Sequence, residues 1–360
     1  MRVLLSGYYG FGNLGDEALL SEIARGLRRR FPGVEVVALS ADPLGTARAY
    51  GIEAAPRWDL GAVRREIARA DVFLSGGGGL LQNATSLKSL LYYAGLIRQA
   101  VRGQKIVGIF AQSVGPLDFW GKGIVREFCK GVTFATVRDD ASRALLTALL
   151  PGVPVTRTAD PVFLYEIPEH ADENALVREG LGPAVQPLVV VCMRKTSAHS
   201  DVTARVATCV DALASEGARV AFLPFQAPED AEAATDVIRK CRSAPTLLPE
   251  GDLASVARAV ASAQAVIGVR LHALILAARF GVPFVAVSYD PKVAALLRLL
   301  EYPLPALWEP GARKGGDGDA KALASRLWRE RAALATHVRA RVPEMQRLAE
   351  ENFEILSRYV

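Results

Sequence analysis

Short apolar segments alternate with amphipathic stretches along almost the whole chain. The apolar segments are short and rich in valine, isoleucine, leucine and phenylalanine, so each predicts a strand buried on both faces. These segments are residues 3–6, 34–39, 72–75, 106–111 and 134–137, and then 188–192, 220–223, 265–269 and 284–287. The stretches between them predict helices, among them residues 16–30, 62–70, 87–101, 202–215, 229–239, 253–263 and 272–280. Such alternation is typical of α/β proteins whose parallel sheets are covered by helices on both faces.

The alternation stops at residues 151–187, where prolines recur, and this segment predicts a linker. A chain of 360 residues also exceeds what one hydrophobic core usually organises. We therefore expect two doubly wound Rossmann-like domains, at residues 1–165 and 166–318. Residues 319–360 are expected to form C-terminal helices that pack back across both domains, with Pro343 ending one helix and beginning another. Two such domains facing a central cleft are the GT-B architecture, in which the cleft is the expected ligand site.

Charge and composition narrow the class of partner. The formal net charge is +5, and basic residues cluster at residues 28–30, 64–65 and 326–341. This charge either serves solubility or favours anionic substrates and an anionic membrane face. No nucleic-acid motif accompanies it, so we expect no nucleic-acid partner. The four cysteines lack metal-ligand spacing, and no apolar segment has transmembrane length, so we expect a metal-free cytoplasmic protein.

The first candidate loop, residues 7–17, follows the first strand. It contains the spacing of a dinucleotide fingerprint, with Asp42 after the next strand, but Tyr8 and Tyr9 displace the glycines from the strand end and argue against NAD. A tight glycine turn with helix-stabilising acids explains part of the loop. The aromatic pair Tyr8 and Tyr9, beside Asn13, favours a sugar-contacting loop. Asp16 and Glu17 are either first-turn helix acids or a base for a sugar hydroxyl.

The second candidate loop, residues 75–83, has four consecutive glycines after a strand. Because glycine is conformationally costly, something must require bare backbone here. Close approach of a ligand, or of the opposing domain, would require it. We therefore include Gly77, Gly78 and Asn83 among the expected substrate-binding residues.

The third candidate site combines cations that follow strands. Arg270 and His272 lie where a strand ends and a helix begins, and a helix N-terminus with an arginine favours a carboxylate or phosphate. Lys292 and Arg138 also follow strands. The ordinary alternatives are a packed or capping histidine, a solvated lysine, and an ion pair of Arg138 with Asp139 or Asp140.

These motifs, in this order, resemble the polysaccharide pyruvyl transferases, in particular the CsaB-like members that act on secondary cell-wall polymers. The most specific segments are Gly-Tyr-Tyr-Gly-Phe-Gly-Asn-Leu-Gly-Asp-Glu at residues 7–17 and Arg-Leu-His at residues 270–272. The resemblance implies a transferase that uses phosphoenolpyruvate as donor, without a cofactor, in cell-wall biogenesis and S-layer anchoring. The resemblance also implies that the donor is bound by Arg138, Arg270, His272 and Lys292. The implied acceptor is a lipid-diphosphate-linked sugar ending in N-acetylmannosamine, which receives a 4,6-ketal.

His272 is the expected general acid, with Arg270 and Asp16 as further catalytic residues. The lipid-linked acceptor implies peripheral contact with the inner membrane face, for which residues 28–30 and the C-terminal helices are candidates. One alternative is a GT-B glycosyltransferase using a nucleotide sugar, although no carboxylate lies between Gly268 and Asp290 to bind a ribose. Another is a non-catalytic anion-binding protein. The oligomeric state stays open.

Overall fold

The computed structural model describes residues 1–84, 86–169, 186–311 and 317–360. The chain forms two compact units. The first consists of Met1–Leu164 together with Glu344–Val360, and the second is Tyr165–Pro343. Each unit is built on its own parallel sheet, so the prediction of an α/β chain is confirmed.

The first unit contains a seven-stranded sheet in the order β3-β2-β1-β4-β5-β6-β7. Its strands are β1 (Arg2–Tyr9), β2 (Glu35–Ser40), β3 (Glu53–Pro56), β4 (Val72–Gly76), β5 (Ile106–Gln112), β6 (Phe134–Val137) and β7 (Val155–Arg157). Its helices are α1 (Leu14–Arg30), α2 (Pro43–Tyr50), α3 (Leu60–Arg69), α4 (Leu87–Arg102), α5 (Phe119–Phe128) and α6 (Asp140–Leu149).

Two strands of this sheet were not predicted. β3 has an exposed glutamate and ends on a proline, so it lacks the apolar run that marks a central strand. β7 lies inside the segment predicted as a linker, but it pairs in parallel with β6 and completes the first sheet. The linker prediction is therefore wrong for this strand, and its residues 170–185 lie outside the described part of the chain.

The second unit contains a five-stranded sheet in the order β10-β9-β8-β11-β12. Its strands are β8 (Leu188–Cys192), β9 (Arg219–Phe222), β10 (Thr246–Leu247), β11 (Ala265–Gly268) and β12 (Phe284–Ala286). Its helices are α7 (His199–Ser215), α8 (Glu229–Ile238), α9 (Leu253–Ser262), α10 (Leu271–Arg279) and α11 (Pro291–Leu299). β8 and β11 are wholly buried, as strands in the middle of a sheet covered on both faces must be.

Most helices that follow a strand begin at a polar cap. An Asp, Asn or Ser side chain accepts a backbone N–H of the first turn, which satisfies a group that has no partner within the helix. The capping residues are Asn13, Asp42, Asp59, Ser86, Asp118, Asp139, Asp252 and Asp290. Asp42, the acid that accompanied the dinucleotide-like spacing of residues 7–17, accepts Gly45 N at 3.0 Å and is thus a helix cap.

The C-terminal helix α12 (Asp317–Leu356) runs through Pro343 without a break. The prediction that Pro343 ends one helix and begins another is therefore wrong. A proline removes one helical hydrogen bond, but here the nearby Val342 and Met345 are buried, and their packing maintains the helix. Beyond it, Phe353 packs on Phe110 with ring centroids 5.3 Å apart, and Asn352 donates to Ala159 O at 3.0 Å, which ties the end of the chain to the first unit.

Within the described ranges, none of the helices combines the length and the apolarity needed to cross a bilayer.

Candidate active site

The loop after β1 is shaped by a strand that continues further than predicted. β1 extends to Tyr9, with a shift in register between Ser6 and Tyr9, so both tyrosines belong to the strand. Tyr9 is buried, and its hydroxyl donates to Gly76 O at 2.6 Å. Gly10 has a φ of +77°, and an added Cβ would lie 2.2 Å from Ser40 Oγ. The turn therefore requires glycine for its own packing.

Tyr8 and Asn13, the predicted sugar contacts, have different surroundings. Tyr8 is half-buried and stacks on Phe11, with ring centroids 4.2 Å apart. Asn13 caps α1, and its Oδ1 accepts Gly15 N at 3.2 Å. The helix cap accounts for Asn13 locally, whereas Tyr8 forms part of an aromatic surface at this loop. Their contact with a sugar stays a prediction.

The two acids that open α1 are not equivalent. Glu17 is buried, and its carboxylate accepts Gly10 N at 2.8 Å and the Tyr50 hydroxyl at 3.0 Å. Burial raises the pKa of this carboxyl, while the two hydrogen bonds oppose the rise. Asp16 is only partly buried, and its Oδ1 lies 3.1 Å from the position of a Cβ on Gly78. Asp16 is therefore the less buried of the two acids, and Glu17 supports the glycine turn.

Glu17→Gln is expected to change the pH dependence of stability. Because the folded pKa of Glu17 lies above its ordinary value of 4.5, the folded protein holds this proton more tightly than the unfolded chain does. The wild type should therefore lose free energy of unfolding, relative to Glu17→Gln, as the pH rises from about 4.5 through the raised pKa. Urea unfolding of both proteins between acid and neutral pH measures this. A constant difference across that range would contradict the assignment.

The glycine loop after β4 packs closely against its own unit. Gly77 and Gly78 have φ values of +74° and +73°. A Cβ on Gly77 would lie 3.0 Å from Leu19 Cδ1, so the loop lies directly on α1. The bare backbone predicted to serve a ligand is thus already required by positive φ and by packing. Asn83 lies further along, where its Oδ1 accepts Asp118 N at 3.1 Å.

Arg138 is buried in the first unit with an ion-pair partner that was not foreseen. It pairs with Asp160, which is also buried, and its Nε donates to Ala111 O at 2.5 Å. The alternative pairing with Asp139 or Asp140 is wrong, because Asp139 caps α6 and Asp140 contacts Arg143. Arg138 Nη2 is buried without a hydrogen-bond partner among the described residues. An anionic ligand would supply that partner.

Arg270 occupies the N-cap position of α10, at the carboxyl end of β11. It is 6% exposed, and its Nε and Nη2 donate to the two carboxylate oxygens of Asp230 at 2.9 and 2.5 Å. Nη2 also donates to Gln226 Oε1 at 3.1 Å. Asp230 in turn accepts Phe225 N at 3.1 Å. This fork-to-carboxylate arrangement fixes the guanidinium plane and leaves Nη1 without a hydrogen bond among the described residues.

The other cations of the second unit lie at the same sheet edge. His272 is in the first turn of α10, which has no side-chain cap among the described residues, unlike α9 and α11. Lys292 opens α11, with its Nζ 3.8 Å from Asp290 Oδ2. Arg194, which follows β8, donates to the Tyr289 hydroxyl at 3.0 Å. Since β8, β11 and β12 are parallel neighbours, their carboxyl ends bring these cations to one edge.

Sequence reasoning missed Arg194, Gln226 and Asp230. Arg194 follows a strand as Arg270 does, so its position was a usable signal. Asp230 lies in the first turn of α8, 40 residues before Arg270 in the chain. Nothing in the linear pattern of the sequence links these two residues. The sequence has no carboxylate between Gly268 and Asp290, but the fold brings the carboxylate of Asp230 to this edge. The Asp230 side chain is 1% exposed and is paired with Arg270.

The arrangement of sheets and helices is shared with solved GT-B structures. S. aureus MnaA in complex with UDP is 10% identical, with 97% of this chain and 94% of that chain covered and a TM-score of 0.66. Anabaena HepE with UDP and glucose is 13% identical over 99% of each chain, with a TM-score of 0.65. UDP-GlcNAc 2-epimerase from Neisseria meningitidis bound to UDP-GlcNAc is 10% identical over 99% of this chain and 100% of that chain, with a TM-score of 0.67. The GT-B-like fold predicted from the sequence is confirmed.

The family follows from the sequence itself. The model of the polysaccharide pyruvyl transferase family matches residues 13–291, which is most of the chain. The chain therefore belongs to this family of transferases, and the predicted resemblance is confirmed at that level. No curated protein matches the sequence.

Proposed function

We propose that this protein transfers pyruvate from phosphoenolpyruvate to a sugar and closes it into a ketal. The observation that carries the proposal is the cation-rich edge of the second sheet. There the uncapped N-terminus of α10 lies between the rigid Arg270 fork and His272, with Lys292 opening the next helix. A helix N-terminus combined with fixed cations suits a small, highly charged anion. Family membership supports pyruvyl transfer.

The residues divide between the donor and the chemistry. Arg270 and Lys292 bind the carboxylate and phosphate of phosphoenolpyruvate, and Arg194 is a further cation at that edge. Arg138 of the first unit stays a predicted ligand of phosphoenolpyruvate, and its Nη2 has no hydrogen-bond acceptor among the described residues. Within the described residues no group of three or more His, Cys, Asp or Glu is arranged to hold a metal ion. In this proposal the developing charge is stabilised by these side chains and the helix terminus.

The reaction requires a proton for the donor and two hydroxyls from the acceptor. His272 protonates the methylene carbon, and a sugar hydroxyl attacks the neighbouring carbon. The C–O bond to phosphate then breaks, and a second hydroxyl of the same sugar closes the ring. One hydroxyl proton replaces the one that His272 gave up, and the other leaves with phosphate. Asp16, the less buried of the two acids that open α1, is the proposed base.

The acceptor belongs to the first unit, where Tyr8, Asn13, Gly77, Gly78 and Asn83 are the predicted contacts. We propose that it is the lipid-diphosphate-linked precursor of a secondary cell-wall polymer, ending in N-acetylmannosamine, as in the CsaB-like members. The ketal would then span its 4- and 6-hydroxyls. This assignment rests on the family resemblance of residues 7–17 and 270–272.

A second candidate function is glycosyl transfer from a nucleotide sugar. It is favoured by the GT-B fold, because the similar solved structures of MnaA and HepE contain UDP. Against it, the only acid found beside Arg270 among the described residues is Asp230, which is too buried to bind a ribose.

Calorimetric titration with phosphoenolpyruvate, UDP and NAD separates these functions. We expect phosphoenolpyruvate to bind and the two nucleotides not to bind. Lys292→Ala should weaken phosphoenolpyruvate binding about ten- to a hundredfold, because a charge-assisted hydrogen bond is lost. Lys240→Ala is the matched control: this lysine of the second unit follows α8, and its Nζ is already bonded to Thr203 Oγ1 at 2.7 Å. Binding of UDP without phosphoenolpyruvate would replace pyruvyl transfer by glycosyl transfer.

A further inference from the structure

The exposed large apolar side chains of the first unit are concentrated rather than scattered. Apart from the chain ends Met1 and Val360, those exposed among its described residues form one set, here named the apolar rim: Leu44, Trp58, Leu60, Leu87, Leu91, Phe119 and Trp120. Phe119 and Trp120 are 81% and 72% exposed. Exposed apolar groups that cluster on a folded protein mark an interaction surface.

The topology places the whole rim at one edge of the sheet. Leu44, Leu60, Leu87 and Phe119 lie in the first turns of α2, α3, α4 and α5, and Trp58 lies between β3 and α3. In a parallel sheet these positions all follow the carboxyl ends of strands. This is also the edge of the predicted acceptor residues. The rim and the predicted acceptor residues are adjacent here, because Asn83 Oδ1 accepts the backbone N–H of Asp118, the residue before α5.

The aromatic members of the rim are held in their exposed positions. Trp58 packs on Tyr92 with ring centroids 5.5 Å apart, and the Arg57 guanidinium lies 4.9 Å from the centroid of the Trp58 ring. Arg57 is itself buried and donates to Gly7 O at 2.7 Å and to the Tyr93 hydroxyl at 3.0 Å. Stacking and cation–π contacts therefore fix an indole that remains 65% exposed. Trp58 is thus presented on a rigid base.

Basic side chains accompany the rim. Arg64 and Arg65 are exposed in α3, Lys88 in α4 and Lys122 in α5. The acids that precede α3 and α5 are engaged as N-caps of these helices: Asp59 accepts Gly61 N at 2.8 Å, and Asp118 accepts Gly121 N at 2.7 Å. Leucine and aromatic residues edged by lysine and arginine are the composition that binds the interface of an anionic bilayer.

We propose that the apolar rim docks the first unit on an anionic membrane surface, with Phe119 and Trp120 as its main inserted side chains. The rim extends over the loops that follow four strands, which is wider than one sugar ring, and its basic neighbours complement acidic lipid headgroups. This inference does not depend on the identity of the donor.

The basic residues predicted to contact the membrane already have partners within the protein. Arg28 donates to Tyr50 O at 3.3 Å, Arg29 pairs with Glu350, and Arg30 donates to Ser357 Oγ at 3.1 Å. In the C-terminal helix, Arg326 pairs with Glu330 at 3.0 Å. Partners that are already in place reduce the gain from lipid headgroups, so the rim is the better membrane surface.

The test is co-sedimentation with vesicles of phosphatidylcholine, with and without phosphatidylglycerol. We expect binding to the anionic vesicles, and Phe119→Ser combined with Trp120→Ser should weaken it at least about tenfold, because two interfacial aromatics are lost. Lys88→Gln combined with Lys122→Gln should weaken binding to anionic vesicles about tenfold and reduce its salt dependence. Leu247→Ser is the matched control, since Leu247 is an exposed leucine of the second unit.

Three outcomes would overturn the proposal. The first is no sedimentation of the wild type with anionic vesicles. The second is vesicle binding that the Phe119→Ser, Trp120→Ser protein retains in full while circular dichroism shows both proteins folded. The third is a dimer in analytical ultracentrifugation that the same double variant converts to monomers, because a second copy of the chain would then cover the rim.

Discussion

Replacing Arg270 with alanine is expected to lower the free energy of unfolding by about 3–5 kcal/mol, because one partner of a buried ion pair is removed. Asp230 is 1% exposed, and its carboxylate would keep only backbone N–H donors such as Phe225 N and Gln226 N. A loss of phosphoenolpyruvate binding in this variant would therefore mix two effects, absence of a ligand and loss of structure. Urea unfolding followed by circular dichroism measures the second effect separately.

A second substitution separates stability from binding. Arg270→Ala combined with Asp230→Asn removes the uncompensated charge while an amide oxygen still accepts the backbone N–H groups, so most of the lost free energy should return. Donor binding should not return. Arg239→Ala is a suitable control, because its side chain is 75% exposed and its loss should change stability by no more than about 0.5 kcal/mol. An Arg270→Ala protein as stable as the wild type would contradict the buried pair.

Replacing His272 with glutamine is expected to lower turnover by about 10²–10⁴-fold while phosphoenolpyruvate still binds, because glutamine fills similar space without donating a proton to carbon. Phosphate release from phosphoenolpyruvate, with the lipid-linked amino sugar as acceptor, measures turnover. Calorimetry measures binding independently. The histidine opens α10 beside Arg270, so it is placed for contact with a bound anion.

The control for this experiment is another histidine of the second unit. His337 bonds through Nε2 to Leu300 O at 2.9 Å within the protein, so His337→Gln should leave turnover unchanged. If His272→Gln kept more than about a tenth of the wild-type turnover, another group would have to protonate the donor. If it lost donor binding and turnover together, His272 would be a ligand rather than the acid.

The candidate site was only partly predictable from the sequence. The cations Arg270, His272 and Lys292 were found because strand ends and helix starts are visible in the linear pattern. Their catalytic roles stay predictions. Asp230 was missed, because a contact across 40 residues leaves no periodic trace. The ion pair considered as the alternative for Arg138 had the wrong partner for the same reason, since the local sequence offered Asp139 and Asp140 whereas the fold brings Asp160 to it.

The glycine loops show the same limit. Four consecutive glycines indicate that bare backbone is needed, and the structure agrees. What the pattern does not reveal is the group against which the loop packs, which at Gly77 is Leu19 of α1.

The edge strands were also hard to predict. β3 and β7 have weak apolar patterns, and they form because β2 and β6 offer unpaired backbone groups.

By itself the sequence determined the α/β class, the GT-B-like fold and the family, because buried parallel strands, helix starts and motif residues are properties of neighbouring positions. The tertiary structure alone decided which acids pair with Arg138 and Arg270. It also decided that Glu17 supports a glycine turn, and that exposed apolar residues from separate helix starts lie at one edge of the first sheet. The physical reason is that burial and charge pairing depend on segments distant in the chain, which meet only when the sheet order brings their ends together.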